Sequence, residues 1–246
     1  SVSRGLGDVY KRQQSAYLMK WNRYYNARAL YKILDAGVLP RLTTEPFSAN
    51  VNGKNMSFDR GTIVIPVSQR DANSTLTEDD IHNLMNDIAV ENHVNIYATN
   101  SASTPTGPDL GGAFQGLLKK PKVAILSGRG TSSYGVGEVW HLLNHRMHIP
   151  ASLVDANNLS QRKLSHYNTL ILPDGNYTML DSTDIQSIKD WNKEGGTLIT
   201  TGSASRWAVN KKITTEKIKK NKQINLDIAY SRVRNTTGAQ RIGGAI

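Results

Sequence analysis

Two histidines in this sequence have the spacing of a zinc site. His141 and His145 are four residues apart, and a helix would place both on one face, with His148 close by. The glutamate that acts as general base in zinc proteases is missing, because Leu142 follows His141. None of the six histidines is followed by a glutamate three residues later. We therefore predict no metal site and no catalytic residue in this chain, and expect these histidines to pack or to face solvent.

A glycine-rich stretch at residues 128–137 lies between an apolar run and a helical pattern, which is where a phosphate-binding loop would lie. It departs from the dinucleotide fingerprint because Ser133 stands in place of a glycine, and from the P-loop because no lysine follows its last glycine. Two interpretations stay open, a tight strand-to-helix turn and an anion site. The candidate ligand-binding residues in and next to this stretch are Gly128, Arg129, Gly130 and Glu138.

The turn that follows the last predicted strand offers a hydroxyl group. Placing the amidotransferase pattern Gly-x-Cys-x-Gly on Gly202 puts Ala204 at the nucleophile and Arg206 at the closing glycine, so neither position fits. Ser203 is a hydroxyl residue on the same turn, but no histidine follows His166 to activate it in the order usual for such hydrolases. We expect Ser203 to cap the next helix.

These candidate residues are positioned by an alternation of strands and helices in the second half of the chain. Hydrophobic patterning predicts strands at 122–126, 151–154, 169–172 and 197–200 and helices at 136–146 and 184–193. Such an alternation is typical of an α/β fold with an open, mostly parallel sheet and helices on both faces. Ligands of these sheets bind beyond the carboxyl ends of the strands. The strand ends here are residues 128–130, 174–175 and 202–204, which adds Asp174 and Ser203 to the candidate ligand-binding residues.

The first half of the chain predicts a smaller α/β lobe. Apolar and aromatic residues recur at helical spacing from residue 15 to residue 36, and Gly37 follows as a C-terminal cap. Thr77 and Asp80 have the spacing of a capping box, which predicts a second helix. Strands are predicted at 38–43, 61–68 and 94–98, with a turn at 50–53 and a loop at 101–112.

The composition of the 246 residues excludes several classes of protein. Hydrophobic residues make up 38% and charged residues 20%, which is enough apolar surface for a core and argues against disorder. No apolar run approaches the ~20 residues of a membrane span, so we predict no membrane span. Because the chain has no cysteine, disulfides, thiolate nucleophiles and cysteine-ligated metals are excluded.

Positive charge is concentrated in one segment. The net charge is +10, and residues 211–222 contain six lysines and one glutamate. Nucleic-acid footprints usually also contain arginines for base edges or aromatic residues for stacking, and this segment has neither. We therefore predict a solvated, lysine-rich surface and no nucleic-acid partner.

The two ends of the sequence suggest a piece of a longer protein. Residues 1–13 resemble the translation of a sequencing adapter, and we predict them to be a non-native leader. The domains that we predict are a small α/β lobe at 14–118 and an α/β domain at 119–246 that is truncated at its C-terminus. Any localisation signal would lie outside this sequence.

Several short sequence motifs occur in the same order as in a known family. These motifs are GTIVIP (61–66) with Gln69, TPTGPDLG (104–111), KPKVAIL (120–126), GEVWHLL (137–143), YNTLILPDG (167–175) and Trp191 with GGTLI (195–199). From about residue 16 onward, the chain resembles the C-terminal region of large bacterial zinc carboxypeptidases of the carboxypeptidase A-like family. Members of the resembled type carry an amidotransferase-like domain after the peptidase domain.

The resemblance implies a flavodoxin-like, class I amidotransferase-like fold that lacks its cysteine. It implies an exported parent enzyme, periplasmic, outer-membrane-associated or secreted, that removes C-terminal residues from peptides. The zinc-bound water and the glutamate base of that reaction would belong to a peptidase domain absent from this chain. This chain would then be a non-catalytic accessory region without a cofactor, whose partners are that domain and, through it, the peptide substrate. The alternative is a stand-alone, degenerate amidotransferase-like hydrolase or small-ligand-binding domain with a site around Arg129, Glu138 and Ser203.

Overall fold

The structure, a computed structural model, describes residues 14–68, 75–157, 159 and 163–219. Its fold is mixed α/β, with one antiparallel sheet, one parallel sheet and a two-stranded hairpin. The first half contains β1 (Ala16–Met19), α1 (Asn26–Asp35), β2 (Arg41–Thr43), β3 (Phe47–Val51), β4 (Lys54–Phe58), β5 (Ile63–Pro66), α2 (Glu78–Asn92), β6 (Ile96–Thr99) and β7 (Gln115–Leu117). The second half contains β8 (Val123–Ser127), α3 (Ser133–His141), β9 (Ala151–Asp155), β10 (Thr169–Leu172), α4 (Ser182–Lys193), β11 (Thr197–Thr200) and α5 (Ser203–Asn210).

The antiparallel sheet is built around β1, in the strand order β6, β1, β5, β2 and β7. Successive side chains of a strand point to opposite faces of its sheet, so those of β1 enter two different cores. Tyr17 and Met19 lie in a core with residues of α1 and α2. Leu18 lies in a second core with Phe47 and Phe58 of the β3–β4 hairpin. All four residues of β1 are therefore buried.

The predicted helix at 15–36 is wrong over its first half. Residues Ala16–Met19 form β1, the chain turns at residues 20–25, and α1 begins only at Asn26. A strand that is covered on both faces reads as an uninterrupted apolar run, which can be mistaken for part of a helical pattern. Trp21, which the helical spacing placed on the buried face, is 50% exposed.

The predicted turn at 50–53 is confirmed, but the strands on either side of it were not predicted. Asn52 and Gly53 have φ values of 51° and 77°. Two successive positive φ angles are what a two-residue hairpin turn requires. The hairpin closes with Phe47 paired to Phe58, and the rings of these two residues stack.

The other predicted elements of the first half are confirmed with changed bounds. The strands are shorter or shifted, as β2, β5 and β6. The capping box is present, because Thr77 Oγ1 accepts a hydrogen bond from the Asp80 N–H (3.2 Å) and the Asp80 carboxylate accepts one from the Thr77 N–H (2.9 Å). The loop at 101–112 contains no helix or strand.

The predicted parallel sheet is confirmed. Strands β11, β10, β8 and β9 lie side by side in this order, and all are parallel. All four had been predicted to within one residue at each end. Helix α3 begins three residues earlier than predicted, and the predicted last turns, Leu142–Arg146, are π-helical, with the Met147 N–H donating to the Leu142 carbonyl (2.9 Å). A helix was expected after Ser203 without stated bounds, and it is present as α5.

Helices cover both faces of the parallel sheet, as predicted. On one face, Val136 of α3 and Tyr31 of α1 lie in one apolar cluster with sheet residues. On the other face, Ile188 of α4 and Ala204 of α5 lie in a separate cluster. Helix α1 also contributes Ile33 to the core of the antiparallel sheet. One helix is thus shared by the cores of both sheets.

Some predicted features lie outside the described residues. These are the leader at 1–13, Gln69 of the first sequence motif, the basic segment beyond residue 219 and the predicted truncation at the C-terminus. Within the described part of the basic segment, Lys211 and Lys212 are exposed, and residues 214–219, which belong to a second unit, contain no helix or strand. None of the described helices has the length and apolar character needed to cross a membrane.

Candidate functional site

The candidate site lies at the carboxyl edge of the parallel sheet, where three loops meet. These loops are the predicted strand ends at 128–130, 174–175 and 202–204, which follow β8, β10 and β11. The strand order changes direction at β8, because β9 and β10 follow it in the chain but lie on its opposite sides. Open parallel sheets bind ligands in the crevice at such a switch point.

In this protein, backbone hydrogen bonds between two of the loops close the switch point. The Asn176 N–H donates to the Gly130 carbonyl (2.7 Å), and the Ser132 N–H donates to the Asp174 carbonyl (2.8 Å). Phosphate loops work by offering unbonded N–H groups at a helix N-terminus. Here the N–H of Ser132, at the start of α3, is already bonded within the protein. Of the two interpretations of residues 128–137, the geometry favours the tight turn.

Gly175 explains how the two loops come so close. It forms an antiparallel bridge with Thr131. A Cβ atom at residue 175 would lie 2.6 Å from the carbonyl oxygen of Gly130 and 2.9 Å from the Cα of Thr131. Both contacts are with backbone atoms, which cannot rotate away as a side chain can. The glycine therefore allows the loops to pack against each other.

The sharp turn between β11 and α5 has no side chain at its apex. Gly202 has a φ of 57° and a ψ of −129°, on the strand-to-helix turn where hydrolases of related architecture carry their nucleophile. A Cβ at this position would lie 2.5 Å from a carboxylate oxygen of Asp174. Ala204, onto which the amidotransferase pattern placed the nucleophile, lies inside α5 and is 0% exposed. Neither position presents a nucleophile.

Hydrogen bonds between Ser203 and Asp174 connect the loops that follow the neighbouring strands β11 and β10. The Asp174 carboxylate accepts hydrogen bonds from the backbone N–H of Ser203 (2.7 Å) and from its hydroxyl group. The Ser203 Oγ also accepts a hydrogen bond from the Gly175 N–H (3.1 Å). We expected Ser203 to cap α5, but the N-cap residue is Gly202, and Asp174 supplies the capping acceptor from the adjacent loop.

Asp174 should make the stability of the protein depend on pH. Hydrogen bonds from the side chain and the backbone of Ser203 hold the pKa of Asp174 below its usual value. A lowered pKa in the folded state stabilises the fold above the pKa of the unfolded chain, about 3.9 for aspartate, and this stabilisation is lost as the pH falls through the folded value. We expect Asp174→Asn to lower the Tm at pH 7, and the difference from the unmodified chain to shrink toward pH 3.

Thermal unfolding at a series of pH values between 7 and 3 measures this difference. Asp59→Asn is the control, because Asp59 is exposed and its side chain has no hydrogen bond or ion pair with a described residue. A Tm difference for Asp174→Asn that stays constant or grows as the pH falls would show that the Ser203 bonds do not favour the charged carboxylate.

Arg129 and Ser203 line two different cavities. Arg129 is exposed and lines a shallow cavity of about 490 Å³ together with Asn176 and Met179. Ser203 lines a different cavity. Glu138 is exposed on α3 and lines neither. Two residues of the alternative site, Arg129 and Ser203, therefore line different cavities.

The two histidines with zinc-like spacing lie side by side without a third ligand. The ring centroids of His141 and His145 are 5.2 Å apart, and the His145 ring packs edge-on against Trp140 at 5.0 Å. Among the residues that the structure describes, no group of three or more histidine, aspartate or glutamate side chains could hold a metal ion.

Sequence reasoning missed most of the side chains that line the cavity next to Ser203. This cavity has a volume of about 460 Å³, and its walls include Asn176, Arg206, Trp207 and Lys211. The amidotransferase pattern placed Arg206 only where a closing glycine would be. Helical spacing from Ser203 would have put Arg206 and Trp207 on one face, but no local pattern links Asn176 to them.

Comparisons with protein-family models, with curated proteins and with solved structures find no match to this chain. The site combines a closed switch point, a turn apex without a side chain and a serine that is hydrogen-bonded to a carboxylate.

Proposed function

We propose that this chain is a non-catalytic accessory region of a larger zinc metallocarboxypeptidase, and that it acts by stabilising or orienting the peptidase domain or by presenting peptide to it. In this proposal, the parallel-sheet half is a flavodoxin-like, class I amidotransferase-like module that has lost its nucleophile. The sequence motifs support the resemblance to zinc carboxypeptidases, and the absence of a side chain at Gly202 supports the non-catalytic role.

The observation that carries the proposal is the position of the Asp174 carboxylate. It occupies the space that a side chain at residue 202 would need, with a carboxylate oxygen 2.5 Å from the site of the missing Cβ. A nucleophile at residue 202 would require both a side chain there and the displacement of Asp174. The turn is therefore built for packing between strand ends and not for attack on a substrate.

The alternative of a Ser203 hydrolase is less well supported by the contacts of Ser203. A serine nucleophile needs a base that removes its proton, most often a histidine oriented by a third group. The described hydrogen bonds of the Ser203 hydroxyl are to Asp174 and to the backbone of Gly175, and none of them is to an imidazole. Because its hydroxyl oxygen is held by Asp174 and Gly175, Ser203 stabilises the packing of the loops that follow β10 and β11.

Zinc would belong to the peptidase domain and not to this chain. Zinc supplies an activated water and polarises the scissile carbonyl in such enzymes. His141 and His145 offer two ligands without a third in the described residues, so no step of a peptidase reaction is assigned to them.

The purified chain tests the proposal directly. After dialysis against zinc and then against buffer, it should not retain zinc stoichiometrically, and it should not remove the C-terminal residue of a blocked dipeptide. Hydrolysis of a p-nitrophenyl ester should equal the buffer rate for both the unmodified chain and Ser203→Ala. Retained zinc with C-terminal trimming would contradict the proposal, and saturable ester hydrolysis that Ser203→Ala abolishes in folded protein would establish the alternative.

A further inference from the structure

A cavity of about 460 Å³ lies beside the closed loops, between residues 175–177 and one face of α5. The face is set by helical geometry, because residues three and four apart on a helix are neighbours. Ser203, Arg206, Trp207 and Asn210 follow this spacing and line the cavity, while Ala204 and Ala208, on the other face of α5, are buried. The cavity is thus a consequence of how α5 packs on the sheet.

Two cations that form no ion pair within the described part of the chain line the cavity. Arg206 and Lys211 both line it, and neither forms an ion pair with any residue in the described ranges. The carboxylate of Asp174 accepts hydrogen bonds from Ser203 and does not line this cavity. Of the residues that line the cavity, Arg206 and Lys211 are charged, which gives the wall a formal charge of +2.

The neutral groups in the wall fit an organic anion. Asn176 and Asn210 supply amide groups that donate and accept hydrogen bonds, and Trp207 supplies an apolar surface. The indole N–H of Trp207 is buried and has no acceptor among the described residues. An arginine fork binds a carboxylate through two parallel hydrogen bonds.

We infer that this cavity binds a small organic carboxylate whose apolar part lies against Trp207. A carboxylate with an apolar part matches this wall, because the Arg206 guanidinium can bond both carboxylate oxygens while the Trp207 ring covers the apolar part. This inference does not depend on the proposed function, because it concerns binding by the isolated chain and no reaction.

Titration with benzoate, followed in ¹H–¹⁵N correlation spectra, tests the inference. We expect saturable shifts that include the indole N–H signal of Trp207, which is assigned by its loss in Trp207→Phe. Benzyl alcohol, which lacks the charge, should bind at least about tenfold more weakly, and phenyl phosphate, which replaces the planar carboxylate, should bind no more tightly than benzoate. No saturable shift with benzoate, or tighter binding of either comparison compound, would overturn the inference.

Variants then locate the site on the molecule. Arg206→Gln should weaken benzoate binding by about tenfold or more, because it removes a charge-assisted pair of hydrogen bonds. Lys212→Gln is the matched control, since it removes the same charge from an exposed neighbour that does not line the cavity. Arg129→Gln tests the adjacent cavity in the same way. An equal loss of binding in either control, or unchanged binding in Arg206→Gln, would show that benzoate binds elsewhere or through net charge alone. The same spectra report whether each variant is folded.

Discussion

Replacing Tyr31 with alanine should lower the free energy of unfolding by about 3–4 kcal/mol, the cost of removing a buried aromatic ring. Tyr31 is 9% exposed and lies in one apolar cluster with Val123, Ile125 and Ile171 of the parallel sheet. Its helix, α1, also contributes Ile33 to the core of the antiparallel sheet. Because α1 belongs to both cores, we expect the two sheets to lose stability together, in one cooperative transition.

Calorimetry and chemical denaturation followed by two probes measure this effect. Far-UV circular dichroism reports on both halves, and tryptophan fluorescence reports mainly on the second half, which holds Trp140, Trp191 and Trp207. Tyr31→Phe keeps the ring and should cost less than about 1.5 kcal/mol, and Tyr24→Ala, at a site that is 61% exposed, should stay within about 0.5 kcal/mol. Two separate transitions, of which Tyr31→Ala shifts only one, would contradict a shared core and support independent folding of the predicted domains at 14–118 and 119–246.

Gly175→Ala should open the closed switch point and lower the stability by about 1–3 kcal/mol, the usual cost of forcing an extra methyl group into a packed site. The new Cβ would lie 2.6 Å from the Gly130 carbonyl oxygen and 2.9 Å from the Thr131 Cα, so the two loops have to separate. The hydrogen bond from the Asn176 N–H to the Gly130 carbonyl, now 2.7 Å long, should break. Amide hydrogen exchange should accordingly become faster at residues 132 and 176.

The control for this substitution is Gly137→Ala. Gly137 lies inside α3, and a Cβ there would have no atom within 4 Å. Alanine in the interior of a helix is favoured over glycine by about 0.5–1 kcal/mol, so this variant should be at least as stable as the unmodified chain. If Gly175→Ala keeps both its Tm and its slow exchange at residues 132 and 176, the loops are not packed in the way that we describe.

The parallel sheet was predictable because its strands are short apolar runs between turn residues. The sequences TLIL and TLIT gave β10 and β11 with their observed bounds, since each is preceded and followed by residues that end a strand. Strand β1 was not predictable in the same way. Its four residues are buried on both faces, so they lack the alternation that marks a strand and were read as part of the helix that follows.

The candidate site was predictable in its location but not in its contacts. The carboxyl ends of parallel strands meet at one edge of a sheet, which is why residues 128–130, 174–175 and 202–204 could be named together. No local pattern indicates that Asp174 caps a helix that begins 29 residues later, or that Gly175 packs against the backbone of Gly130. These contacts depend on strand order, which places loops side by side that are distant along the chain.

The most direct test of the central claim, that this chain is the accessory region of a zinc carboxypeptidase, is to sequence the coding DNA on both sides of this reading frame. We predict an in-frame upstream domain that carries the His-x-x-Glu pair and a distant third histidine of a zinc peptidase. A start codon directly before Gln14, with no such domain upstream, would contradict the claim and leave a stand-alone α/β protein whose function is to be sought at the cavity beside Ser203.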